Sequence, residues 1–330
     1  MHDVFTAADR DALNASMADG SGSRYEELAA QDPAPGLGLR IGLAIALGVV
    51  GGVIGGILAA AIGTGGVIAL VALVVGGIAA SQPLAGRLHR RGLRRRAQKE
   101  VVGGWIAARG WRAPETIALS GATPLLRAGD ERETGWGIEG DLDDGTRFVA
   151  GHYAYTEIRT VTDTDADGTT RTRTERDTYP FSVALLPASG VGFPALALSK
   201  GSTRGFMSRL SGALSDLKPV ELESAEFNDD FRLMVADGVD ELAVRNRFSP
   251  VVQVAFVERG SNDVRVELED GQLLVARAGN PAHDDLGALV DLVADAIWLR
   301  AVLTQEPPGR LPEIEPLRQL LLGTGAVSEP

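Results

Sequence analysis

The hydrophobic pattern opens with a long stretch that has no polar face at all. From Ile41 to Ala80 no residue is charged, and Thr64 carries the only polar side chain. As helix, these 40 residues would reach roughly 60 Å, twice the hydrocarbon thickness of a bilayer. The pattern predicts two membrane spans reversing at Gly63-Thr64-Gly65-Gly66, where glycine permits a tight turn. Small residues recur every four positions at Ala44, Gly48, Gly52, Gly56 and Ala60, and again at Ala72, Gly76 and Ala80. Such a glycine-zipper stripe lets helices approach closely, which makes Gly48, Gly52, Gly56 and Gly76 the candidate helix-packing residues, within the hairpin or in self-association.

After Pro114 the period changes from continuous to two. "GWGIEGDLDDGTRFVAGHYAYTEIRTVT" reads as strand, Asp-Gly turn and long alternating strand, and "TTRTRTERDTYPFSVALL" returns after the turn "DTDADG", giving an antiparallel meander. "FPALALS", "PVELES" and "FRLMVAD" are read as further strands. "VDELAVRNRFSPVVQVAFVER" is a helix that must adjust at Pro250, and "DVRVELEDGQLLVAR" is a hairpin turning at Asp270-Gly271. Between Asp284 and Thr304 apolar residues fall on one face, predicting an amphipathic helix. The expected fold class is a membrane α-helical hairpin plus a soluble α+β domain with an antiparallel sheet. Its segments are an acidic flexible tail (1–36), the hairpin (37–82), a basic helical connector (83–112), the cytosolic α+β domain (113–304) and a Pro-rich tail (305–330).

Charge sharpens this division. Residues 1–36 hold seven acids against Arg10 and Arg24, residues 87–99 hold seven bases and no acid, and the overall charge is −12. Lys and Arg beside a span stay on the cytoplasmic side. The run Arg87, Arg90, Arg91, Arg94, Arg95, Arg96 and Lys99 therefore predicts a multi-pass protein of the cell inner or plasma membrane with both termini cytoplasmic. The same residues are the candidate anionic-lipid contact, and the lipid bilayer is the expected partner, together with a protein partner or a second copy bound through the hairpin. The acidic remainder of the chain argues against nucleic acid. Trp105 and Trp111 follow on the connector, suited to an interface or to packing on the soluble domain. With no cysteine, thiolate chemistry and cysteine-ligated metals are excluded.

Catalytic patterns are incomplete. The glycine-rich stretch lacks the lysine of a phosphate loop, since the first lysine is Lys99. Asp163, Asp165, Asp167 and Gly168 begin like a calcium loop, but position twelve is Thr174, and turn formers at a hairpin tip account for them more simply. "SKGSTRG" (199–205) places Thr203 where a nucleophile elbow needs serine, and Ser215-x-x-Lys218 lacks the companions of a serine–lysine dyad. The histidines His2, His89, His152 and His283 are scattered. Asp143-Asp144, Asp229-Asp230 and Asp284-Asp285 sit where caps and turns need acids. No catalytic residue, cofactor or metal is assigned.

The order of features from the two spans through "YPFSVALLP", "FNDDFRLMVADGVDELAVRNRFSPVVQVAFVE" and "VRVELEDGQLLVARAG" resembles an uncharacterised bacterial two-helix membrane-protein family, a domain of unknown function. Phe231, Asp237, Ser249-Pro250 and Val264 to Ala276 carry the resemblance, which covers the spans and residues 145–280. It implies a cytosolic α+β domain and supplies no catalytic residue. The expected function is a membrane-anchored binding or scaffold protein facing the cytosol. The alternative is a membrane-anchored hydrolase-like enzyme using a residue of the α+β domain.

Overall fold

The computed structural model describes residues 4–32, 45–46, 49, 53, 64–119, 123–164, 170–189, 195–200, 217–259, 264–279, 286–305 and 308–322, with backbone alone for 64–83, 164, 259 and 322. They form two compact units: Met1–Asn14 with Trp105–Pro330, and Ala15–Gly104.

The larger unit is built on β1 (Glu131–Asp141), β2 (Arg147–Thr164), β3 (Thr170–Pro187), β4 (Ala195–Lys200), β5 (Leu217–Val220), β6 (Phe231–Ala236), β7 (Val264–Glu269) and β8 (Gln272–Ala278). They make one antiparallel sheet in the order β1-β2-β3-β8-β7-β4-β6-β5. Turn chemistry sets the hairpins. Asp144 Oδ1 accepts from the Thr146 amide at 2.8 Å, and Gly145 takes φ +77°. Asp270 and Gly271 both have positive φ, 50° and 71°, as the tight primed turn of a two-residue hairpin requires.

Both faces of the sheet are covered. On one, Leu198, Phe231, Val264 and Val266 meet helix α7 (Leu286–Thr304) and helix α6 (Pro250–Arg259). Phe256 stands edge-on to Trp298 at 5.2 Å and to Phe231 at 5.8 Å between ring centres, the arrangement that aligns aromatic quadrupoles favourably. On the other face Tyr153, Tyr155, Phe181, Val183, Leu185, Leu274 and Ala276 pack with Ile117, Leu125, Leu126 and Ala128 from the approach to β1 and the short helix α3 (Pro124–Arg127). Trp111 is buried beside Phe148 and Trp105, where Gly140 leaves room: a Cβ there would lie 2.3 Å from the indole. Both connector tryptophans thus pack inside this unit. Helices α4 (Ala225–Asp230) and α5 (Glu241–Arg247) complete it, and the chain breaks between α5 and α6 at Phe248-Ser249, just before Pro250.

Helix α7 differs from its predicted single apolar face, being buried almost all round, Asp295 included. Its outer side is covered by the two segments read as tails. The acidic tail is helix α1 (Ala7–Gln31), and the Pro-rich tail contains helix α8 (Ile314–Leu322), whose Leu317 and Leu321 are buried. Thr6 and Asp9 start α1 with reciprocal capping: Asp9 N donates to Thr6 Oγ1 at 3.1 Å, and Thr6 N donates to Asp9 Oδ2 at 2.9 Å. Asn14 then reaches α7, its Oδ1 accepting from Gly287 N at 3.1 Å, one of the amide groups a helix start leaves unsatisfied.

The smaller unit is a helix pair, the later turns of α1 against α2 (Thr64–Ala107). Leu28, Tyr25 and Ala29 pack on Leu93 and Ala97. Gly20 lies against Val101 while Asp32 meets His89, so the two helices run antiparallel.

Here the expected membrane architecture is overturned. Among the described residues no helix is long and apolar enough to cross a membrane. Helix α2 begins at Thr64, so Gly65 and Gly66 lie in its first turn instead of forming a reversal. It continues unbroken past Ala80, through Pro83 and the whole basic run, to Ala107. The later part of the uncharged stretch, Thr64 to Ala80, and the arginines share one 44-residue helix, because a change in side-chain charge does not interrupt backbone hydrogen bonding and Leu, Arg, Gln and Lys are all good helix formers. The multi-pass placement with cytoplasmic termini rested on those spans and falls with them. Of the expected first span only Ile45, Ala46, Val49 and Val53 are described, and they are helical.

Docking of α1 on α7 is open to test. Asn14→Ala removes the acceptor for Gly287 N and is expected to lower stability by about 1 kcal/mol, read by urea unfolding. Gly287→Ala would set a methyl 2.7 Å from Arg10 Cγ and should destabilise at least as much.

Candidate functional site

Three groupings of polar side chains could carry chemistry. The deepest lies on the central strand β7, where Arg265 and Glu267 share a face and are 1% and 0% exposed. Arg265 Nε donates to Glu267 Oε1 at 2.5 Å, and the Leu125 amide donates to Oε2 at 2.8 Å. Tyr153 Oη donates to the Leu125 carbonyl at 3.0 Å, and burial pushes its phenol up to about 12. Ser199 faces Arg265 across the β4–β7 ladder. The hydroxyls of Ser199 and Thr123 are buried without a hydrogen-bond partner among the described residues. Both Glu267 oxygens are engaged, and neither is open to a substrate. The pair works as a clamp fastening α3 to the sheet, since an isolated charge here would be severely destabilising.

The second grouping joins β8 to α7. Arg277 donates from Nη1 to Asp291 Oδ2 at 2.7 Å and from Nη2 to Asp295 Oδ2, while Arg10 lies 3.9 Å from Asp291. Burial pushes the Asp291 carboxyl above its ordinary value; Arg277 opposes this and Asp295 reinforces it. Burial disfavours the Arg277 charge, yet Asp295 and Asp291 outweigh it and hold its pKa up. The neighbouring cavity, lined by Leu198, Phe231, Phe256, Val266, Asp295 and Trp298, is about 10 Å³, room for about one water. Neither grouping was legible in the sequence. "VRVELE" alternates as a half-buried strand does, which assigns Arg265 and Glu267 to solvent; burial of the second face comes only from residues some 140 positions earlier.

The third is the surface of α2. All seven predicted basic residues, Arg87, Arg90, Arg91, Arg94, Arg95, Arg96 and Lys99, are exposed. Arg96 donates to Glu100 at 2.9 Å, and Glu100 also accepts from Arg24 at 2.6 Å, which holds its carboxyl below the usual range. Arg94 lies over Tyr25, 5.4 Å from the ring centre. Arg87, Arg91 and Arg95 recur every four residues, and at 100° per residue they stand about 100°, 140° and 180° from the midpoint of Leu93 and Ala97, so Arg91 and Arg95 point away from α1 and Arg87 lies on the flank. No carboxylate among the described residues pairs with them. Leu84 and Leu88, 37% and 41% exposed, adjoin this row.

Other expected sites are dispersed or lie outside the described residues. Gly48, Gly52 and Gly56 lie outside; Gly76 is within α2. Residues 165–169 and 201–216 lie outside, including most of the calcium-like turn, Ser202 and Ser215, as do Asp284-Asp285, His2 and His283. Asp163 is 3.5 Å from Arg173, Lys218 donates to Asp237 at 2.6 Å, and Asp144 also accepts from Arg300 at 3.0 Å. No group of three metal-capable side chains occurs among the described residues.

Glu267→Gln is expected to cost about 3 kcal/mol, because Arg265 keeps its charge inside the sheet; chemical denaturation reads this. For Asp291, a folded-state pKa above the unfolded value means that the folded state takes up the proton first. Its ionisation therefore lowers stability as pH rises from the ordinary value of 3.8 through the raised one. Asp291→Asn should remove that segment of the stability–pH curve.

Compared with protein-family models, curated proteins and solved structures, the chain has no match.

Proposed function

We propose that this chain is a binding protein whose α2 surface receives an acidic amphipathic helix of a partner protein. The observation that carries the reading is the row Arg87, Arg91 and Arg95 with Leu84 and Leu88 beside it, running from the flank of α2 at Arg87 onto the face turned away from α1. The row spans about 12 Å, with arginines about 6 Å apart, the repeat of acids at every fourth position on a facing helix. The leucines supply the apolar contact that surface ion pairs need to become worth more than a few tenths of a kcal/mol each. The α1–α2 pair already shows the same chemistry at Arg24 and Arg96 on Glu100. The net charge of −15 over residues 100–330, from 22 bases and 37 acids, disfavours a long polyanion such as nucleic acid, which cannot confine its contact to one row.

A labelled helical peptide with acids at every fourth position and leucines between is expected to bind the full chain, with affinity falling as salt rises through the screening range. The triple variant Arg87→Glu, Arg91→Glu, Arg95→Glu should bind about tenfold weaker or less with unchanged helix content. Peptide binding that ignores the substitutions would overturn the reading, as would binding to anionic phospholipid vesicles with none to the peptide.

A further inference from the structure

β1 pairs with β2 only as far as Thr156, and β8 meets β3 only from Phe181 onward. Beyond these limits β2 and β3 continue as a two-stranded ribbon, Glu157–Asp177 to Thr164–Thr170. Among the described residues no strand lies along the outer edge of β3 from Thr172 to Thr178. Gly279 N donates to the Pro180 carbonyl at 2.9 Å, so the even-numbered residues of β3 turn their backbone groups to that edge, by the alternation of an antiparallel ladder. Thr172, Thr174 and Arg176 therefore present amide and carbonyl groups outward. An edge of this kind is a template for another strand.

We infer that the occupant is the same segment of a second copy of this chain, paired antiparallel about a two-fold axis through Thr174. The charge order selects it. The segment reads Arg171-Thr-Arg173-Thr174-Glu175-Arg-Asp177. Centred on Thr174, Arg173 faces Glu175 of the second copy and Arg171 faces Asp177, on both sides of the axis. Centring one residue earlier sets Arg173 against Arg173, and one later sets Glu175 against Glu175. Like charges directly opposite are destabilising and opposite charges stabilising, so one register is favoured. The backbone agrees with it: Thr174 faces Thr174 and Thr172 faces Arg176 as hydrogen-bonded pairs, about six bonds in all. Arg173 already holds Glu175 at 2.8 Å and Asp163 at 3.5 Å within its own ribbon, with its side chain 64% exposed, and a second copy brings a further Glu175 opposite it. The interface is isologous and closes as a dimer, so it does not propagate into a fibre.

The full chain is expected to show a concentration-dependent monomer–dimer equilibrium in analytical ultracentrifugation. Arg173→Glu should weaken it about tenfold, with two symmetric pairs turned repulsive, and Arg173→Glu with Glu175→Arg should restore it. Thr174→Pro removes the central outward amide without touching the β2–β3 bonds and should leave a monomer with an unchanged circular dichroism spectrum. Thr174→Cys, in a chain with no other cysteine, should form an interchain disulfide, because a hydrogen-bonded pair sets the Cα atoms about 5.5 Å apart. A chain monomeric at all concentrations, or a dimer that both Arg173→Glu and Thr174→Pro leave intact, would overturn the proposal.

Discussion

An ion pair in the middle of the sheet constrains the larger unit more than any other contact. Arg265 and Glu267 occupy β7, the strand between β8 and β4, and stand on the face opposite Val264, Val266 and Leu268. A charge so placed is costly unless it is partnered, and Glu267 takes Arg265 on one oxygen and the Leu125 amide on the other. The segment entering β1 is thereby held over the face, with Tyr153 fixing the same turn through the Leu125 carbonyl. Leu125, Leu126 and Ile117 then bury the aromatic and aliphatic side chains around them. Removing the acid would expose the whole arrangement to an uncompensated guanidinium.

The opposite face follows a different rule. Here the sheet meets α7 through aliphatic and aromatic side chains, and a charged connection, Arg277 to Asp291 and Asp295, lies at the margin where the side chains are 24%, 16% and 5% exposed. The outer side of α7 is apolar too, and a helix with no polar face needs a cover. The first turns of α1 and helix α8 provide it, which explains why two charged or proline-rich terminal segments are folded. Asp9 serves both, accepting from Thr6 to start α1 and from Arg318 to hold α8.

In the smaller unit, charge is distributed by face rather than by segment. Arg94 and Arg96 meet Tyr25 and Glu100, and Arg91 and Arg95 on the far side of α2 stand in water with two leucines. The sheet ribbon shows a related economy on strands, with Arg171, Arg173, Glu175 and Asp177 of β3 on one face and Thr170, Thr172 and Thr174 on the other; Thr156 and Thr178 hydroxyls meet at 2.9 Å across the ladder. In both places the surface charge pattern has a direction that neutral solvation does not require.

Local order was legible wherever one or two residues decide it. Asp144-Gly145 and Asp270-Gly271 turn because aspartate and glycine accept the backbone angles that a tight hairpin needs. The alternation around Tyr153 to Tyr155 and in "FRLMVA" makes strands because side chains there point to opposite faces, and Pro250 separates two helices because it has no amide to donate. What depended on distant cover was not legible. An uncharged run says what a helix lacks, not where it ends, so α2 carries through the expected boundary at Gln82 into the arginines. The sequence determined hairpins, strand periods and the basic stripe of α2, all set by contacts within a few residues. Only the tertiary structure decided that Arg265 and Glu267 are interior, that Asn14 caps α7 and that both terminal segments contain helices in the core's cover, since Glu267 and Asn14 meet partners more than a hundred residues away and α8 needs the outer side of α7 to pack on.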